Sequence, residues 1–153
     1  MRAALAIVAL GSVAVAVFVY DRMNVVNNQS TYIAGPVMSR MDALAAANMG
    51  TSDHRIIEYQ HIVTTDPANM RGIETAITDQ RASVAEDLDR YSQSEVSAEA
   101  SAAYRQVREE WKTYLARSDA MLELSRANQN EEASAALLET DILFDQFSKR
   151  MAD

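Results

Sequence analysis

Four glycines and two prolines punctuate a chain of 153 residues, and this scarcity constrains the fold more than any motif does. A sandwich or barrel turns every few residues and draws on both residue types to do so. A chain this poor in them turns back only a few times. Alanine is abundant, and it is the strongest intrinsic helix former. The breaks can be named: Gly35-Pro36, Thr64 to Pro67, Ser92 to Ser94 and Asn128 to Asn130. Between them lie stretches of roughly 25 to 40 residues, twice or more the length of an average helix.

The stretches carry helical periodicity. Met70, Ile73, Ile77, Gln80, Val84, Leu88 (or Asp87) and Tyr91 step by three and four, as an amphipathic helix requires. Asp66 is placed to cap that helix, and Pro67 suits its first turn because no N–H is needed there. Tyr104, Val107, Trp111, Tyr114 (or Leu115), Ser118 and Leu122 form the next seam, with Ser97 as its cap. Trp111, the only tryptophan, reads as a core anchor. Glu99 and the pair Glu109-Glu110 read as early acids that favour the helix dipole. Ala133, Leu137, Thr140, Phe144, Phe147 and Met151 make a fourth seam. Glu131-Glu132 stand in its first turn and Lys149-Arg150 in its last. The expected architecture is an all-α, up-down-up-down antiparallel four-helix bundle with helices over about 23–64, 67–91, 97–127 and 131–153. Pro36 is expected to kink the first of these near Tyr32.

The first twenty residues differ. Ala3 to Tyr20 carry no charge, and the run of about 18 residues is at the short end of what crosses a bilayer. Residues 1–20 therefore read as an N-terminal transmembrane signal anchor, with the domain at 21–153 outside the cytoplasm. The alternative is a signal peptide cleaved after Ala14-Val15-Ala16, which has the small-residue form. A released protein would then begin with the apolar residues Val17, Phe18 and Val19. With no cysteine, thiol catalysis, thiolate metal sites and disulfides are excluded. A net charge of −8 argues against nucleic-acid binding.

The pattern resembles the four-helix-bundle sensor domain of bacterial methyl-accepting chemotaxis proteins. The resemblance covers nearly the whole chain. It rests on the apolar N-terminus, a Tyr32…Pro36…Leu44 entry to the first helix, and the His54 to Tyr59 segment that closes it. It rests further on the Trp111 to Leu115 stretch, the Asn128 to Asn130 turn, and an Ala-rich fourth helix ending Phe144…Phe147. The resemblance implies an inner-membrane receptor with a periplasmic domain that dimerises through its first helix. It implies binding of small solutes, often anions, and a signal carried by displacement of the fourth helix. It also implies a second span, which the chain does not reach before Asp153, so the sequence is expected to be the sensing end of something longer. The same kind of input serves sensor kinases and cyclases. The reading from another class is an exported helical binding or structural protein.

The seam of the first helix runs Ile33, Val37, Arg40, Leu44, Ala47, Thr51, His54, Glu58, His61, and it turns from apolar to polar. Polar groups that enter a core need partners. Arg55, one position aside, is the candidate anion ligand, because a guanidinium takes a carboxylate in bidentate fashion. Thr51, His54 and, from the fourth helix, Thr140 complete the candidate binding set. The plainer reading leaves Arg55 and His54 solvated, or paired across the dimer. His54, Glu58 and His61 at i, i+4 and i+7 could make a surface metal site, but structural sites generally use four ligands, and neither a metal nor a cofactor is expected. No strand–turn–helix elbow or Gly-rich phosphate loop occurs, so no catalysis is expected.

Overall fold

A computed structural model describes the backbone of residues 2–93 and 97–152, and the side chains of these residues except 2–10 and 14. The chain divides into two compact units, residues 1–39 and 40–153. The first unit is a long helix, α1 (Arg2–Tyr32), followed by a single wide turn of π-helix at Ile33–Val37. Pro36 causes that turn. It has no N–H to donate, so the ladder is rebuilt around it: the Met38 N–H reaches the carbonyls of both Gly35 and Ile33. The discontinuity expected near Tyr32 thus takes the form of a π-segment just after it.

Among the described residues no helix is long and apolar enough to cross a membrane. Much of the expected anchor, however, falls on residues 2–10 and 14, whose side chains lie outside those described. The apolar side chains that are described on α1, among them Val13, Val17, Phe18 and Val26, are exposed.

The second unit holds α2 (Met38–Val63, entering from the first unit), α3 (Pro67–Ser92), α4 (Ala98–Arg126), α5 (Asn130–Leu138) and α6 (Asp141–Ala152). No strand occurs among the described residues. The caps form as the sequence predicts. The Asp66 carboxylate accepts the N–H groups of Ala68 and Asn69, and the Ser97 hydroxyl accepts that of Ala100. The break expected at Ser92 to Ser94 lies partly outside the described residues, as does Asp153. Glu109 and Glu110 are not early acids. With α4 starting at Ala98 they lie three turns in, where Glu110 pairs with Arg150 of α6 at 3.2 Å.

The fourth helix is not continuous. It breaks at Glu139-Thr140 into α5 and α6. Neither residue is a breaker, and Glu139 keeps helical dihedrals at φ −62°, ψ −19°.

The core forms two clusters. One gathers Ala47, Val84, Leu88, Trp111, Tyr114 and Phe147; the other gathers Ile62, Ile77, Met121, Leu122 and Leu137. Trp111 is buried, stacked on Tyr114 at 5.3 Å between centroids and edge-on to Phe147 at 5.6 Å. α2 and α3 approach closely at Gly50. A Cβ there would lie 2.8 Å from Val84 Cγ2 and 2.9 Å from Gln80 Nε2. Gln80 uses the space to donate to the Gly50 carbonyl at 3.1 Å. Between the two apolar clusters lie buried polar residues: Thr51, His54, Glu58 and His61 on α2, Ser118 on α4 and Thr140 at the break between α5 and α6.

Candidate functional site

Glu58, Ser118 and Thr140 belong to one connected layer, completed by Tyr114, Arg55 and Arg81. On α2, Thr51, His54, Glu58 and His61 are fully buried, so the polar stretch of the first seam lies inside the bundle. Glu58 is the hub. Its carboxylate accepts the Tyr114 hydroxyl of α4 at 2.5 Å and the Ser118 hydroxyl from the next turn of that helix. Ser118 also accepts from Arg81 of α3 at 2.7 Å, and Arg81 pairs with Asp119 at 2.7 Å. On the other side, Arg55 Nη1 lies 3.5 Å from the Tyr114 hydroxyl. It also donates to Thr140 Oγ1 at 3.0 Å. Nη2 donates to the Leu137 carbonyl at 3.3 Å and pairs with the Asp141 carboxylate. From Asp141 to Arg81 the chain of contacts crosses every helix of the bundle.

The electrostatics follow from this burial. Burial is the largest single influence on Glu58, and it acts to raise the carboxyl pKa. The neighbouring His54, Ser118 and Tyr114 outweigh it and hold the group below the usual carboxylate range. Burial and the adjacent Glu58 carboxylate push the Tyr114 phenol well up, so it remains a donor. Burial acts to lower the Arg55 pKa, but Tyr114 and Asp141 more than compensate and raise it. The guanidinium also lies against the rings of Phe144, at 5.0 Å, and Tyr59, at 5.9 Å. A flat cation between two aromatic faces is held in plane.

His54 is an exception to the rule of partnered polar groups. Its Nε2 is 3.0 Å from Glu58 Oε1, but the alignment is not that of a hydrogen bond, and neither ring nitrogen has a hydrogen-bond partner. The ring sits edge-on to Trp111 at 5.4 Å and to Tyr114 at 6.1 Å. His61 is held separately, between Ser125 at 2.8 Å and Glu74 at 3.3 Å.

The four candidate residues thus divide. Arg55 and Thr140 are brought together. His54 lies behind them, against Glu58. Thr51 is not in the group, since its hydroxyl is spent on the Asn48 carbonyl of its own helix at 2.8 Å. The alternative of solvated residues or pairing across a dimer does not hold for Arg55 and His54: the Arg55 side chain is only 12% exposed and its ion pair lies within the chain. The notion of a surface metal site at His54, Glu58 and His61 fails on burial, and among the described residues no group of three or more His, Asp or Glu is disposed to hold a metal ion. Sequence reasoning missed Tyr114, Ser118 and Asp141. Tyr114 and Ser118 were visible as polar members of an apolar seam, which is itself a signal of a buried partner.

The comparisons with known proteins agree with this architecture. No curated protein and no solved structure matches the chain. A family model described as a four helix bundle sensory module for signal transduction matches residues 1–153. The chain belongs to that family of four-helix-bundle sensory modules.

Proposed function

We propose that the chain is the extracytoplasmic sensing domain of a chemotaxis-type transmembrane receptor. Residues 3–20 anchor it in the inner membrane, and the residues from about 21 onward stand in the periplasm. A homodimer forms along the first helix, and a small solute, an anion in the first instance, engages Arg55 with Thr140. The observation that carries this reading is the charged layer through the bundle core. A scaffold that only spaced two partners would be more stable with apolar residues there, because desolvating charges is costly. Placed as it is, the layer couples α2 to the fourth helix at a cation suited to carboxylates.

Two further observations support the setting. The described apolar side chains of α1 are exposed, as they would be when lipid covers them. On α2, Met49, Ser52, Ile56, Tyr59 and Val63 step by three and four along an exposed face, the spacing of a seam awaiting a second helix.

The test is calorimetry of the full chain in detergent against a panel of amino acids and di- and tricarboxylates. Arg55→Ala is expected to weaken any confirmed ligand by at least about tenfold, the equivalent of roughly one charge-assisted hydrogen bond. An unchanged affinity removes Arg55 from the site. N-terminal sequencing of the mature protein tests the anchor: a start near Val17 would abolish it.

A further inference from the structure

Apart from Thr140, whose hydroxyl turns back on the Leu137 carbonyl, the break between α5 and α6 has no cause in its own sequence. Residues 133–143 contain no glycine or proline, and alanine and leucine, both strong helix formers, dominate them. In an uninterrupted helix the Asp141 N–H would donate to the Leu137 carbonyl, four residues back. Here that carbonyl is already taken. It accepts the Thr140 N–H at 3.0 Å, the Thr140 hydroxyl at 2.6 Å and Arg55 Nη2 at 3.3 Å. A carbonyl oxygen has two lone pairs, so these donors leave no room for the Asp141 N–H. Arg55 supplies one of them and, by donating to Thr140 Oγ1 at 3.0 Å, holds in place the hydroxyl that supplies another. Arg55 also holds the Asp141 carboxylate. The helix restarts one residue later, where the Phe144 N–H donates to the Thr140 carbonyl at 2.8 Å.

From this we infer that Arg55 is a strap that holds a hinge in the fourth helix, and that releasing it lets α5 and α6 join into one helix from Asn130 to Ala152. The inference rests on the sensing reading and gives it a moving part. A solute carboxylate that takes the guanidinium does what removal of the strap does: it frees the Leu137 carbonyl for the Asp141 N–H. The fourth helix then changes from two segments to one, and its C-terminal half turns and shifts with the added turn. The four donors of the strap converge on α4, α5 and α6 from a single residue of α2, so the release is one event.

Amide hydrogen exchange of the full chain reads the hinge directly. In the parent protein the Asp141 to Leu143 amides lie in the first turn of α6 and exchange quickly. Arg55→Ala is expected to slow exchange of the Asp141 amide by about tenfold or more, with the α4 amides unchanged. Asp141→Asn, at a side chain 49% exposed, weakens the strap without disturbing the core and is expected to give a smaller slowing. If Arg55→Ala instead loosens all of α5 and α6, Asp141→Asn decides alone. No slowing at Asp141 in that variant overturns the strap. Failure of the calorimetric test, with the exchange result intact, would remove the solute and leave the hinge.

Discussion

Replacing Tyr114 with Phe tests the centre of the polar layer with little disturbance to anything else. Tyr114 is fully buried, and its ring is fixed by Trp111, Phe144 and Phe147 at centroid distances of 5.3, 5.9 and 5.6 Å. Phe keeps all three contacts. What is lost is the hydroxyl, which donates to the Glu58 carboxylate at 2.5 Å. A hydrogen bond to a charged acceptor contributes about 1.5–3 kcal/mol, and here the carboxylate stays buried with one donor fewer. The expected loss is therefore about 2–3 kcal/mol, or roughly 10 °C in Tm for a domain of this size. Urea unfolding of the full chain, followed by the fluorescence of buried Trp111, measures it. In a Glu58→Gln background the same change removes a bond between neutral groups, so the expected loss falls to about 1 kcal/mol.

The acid side provides an independent reading. Glu58 is held below its usual range in the folded state, so its contribution is present above the unfolded-state pKa and is lost as pH falls through the folded value. Since Tyr114 is one of the groups lowering that value, Tyr114→Phe should shift the acid loss of stability to higher pH. A loss under about 0.5 kcal/mol would refute the reasoning. So would an equal loss with and without the Glu58 carboxylate.

Two other expectations concern the packing and the proposed dimer. Gly50→Ala, which in an open helix would stabilise by about 0.5–1 kcal/mol, should here destabilise by about 1–3 kcal/mol because the new methyl meets Val84 and Gln80 below 3.0 Å. A raised Tm would show that α2 and α3 separate more easily than their packing implies. Ile56→Cys, on the exposed stripe of α2, should give a disulfide-linked dimer under mild oxidation, while cysteine at exposed Asp53, off that stripe, should not. Equal cross-linking at both positions would count against a specific seam.

What could be read in advance was whatever local chemistry decides. The Asp66 and Ser97 caps depend on residues three apart, and the burial of Ile77, Val84, Trp111 and Phe147 depends on a period that repeats within each helix. The polar end of the α2 seam was legible for the same reason. The break at Glu139-Thr140 was not, because no glycine or proline lies near it and a lone threonine does not by itself end a helix. The contacts inferred to hold it come from Arg55, some 85 positions away in the chain. Nor does periodicity reveal which acid answers a buried arginine. Asp141 was one of several acids on the fourth helix, and only the packing of α2 against the break selects it.

The layer from Asp141 through Arg55, Tyr114, Glu58 and Ser118 to Arg81 has a consequence for how such a bundle moves. Greasy helix faces slide past one another with little to mark one position from the next. Hydrogen bonds hold only within a limited range of distance and angle. A transverse row of them acts as a detent, so that the helices rest in one setting or jump to another but do not drift between. A stimulus too weak to break the row leaves the far end of the domain where it was, and one strong enough moves it the full step.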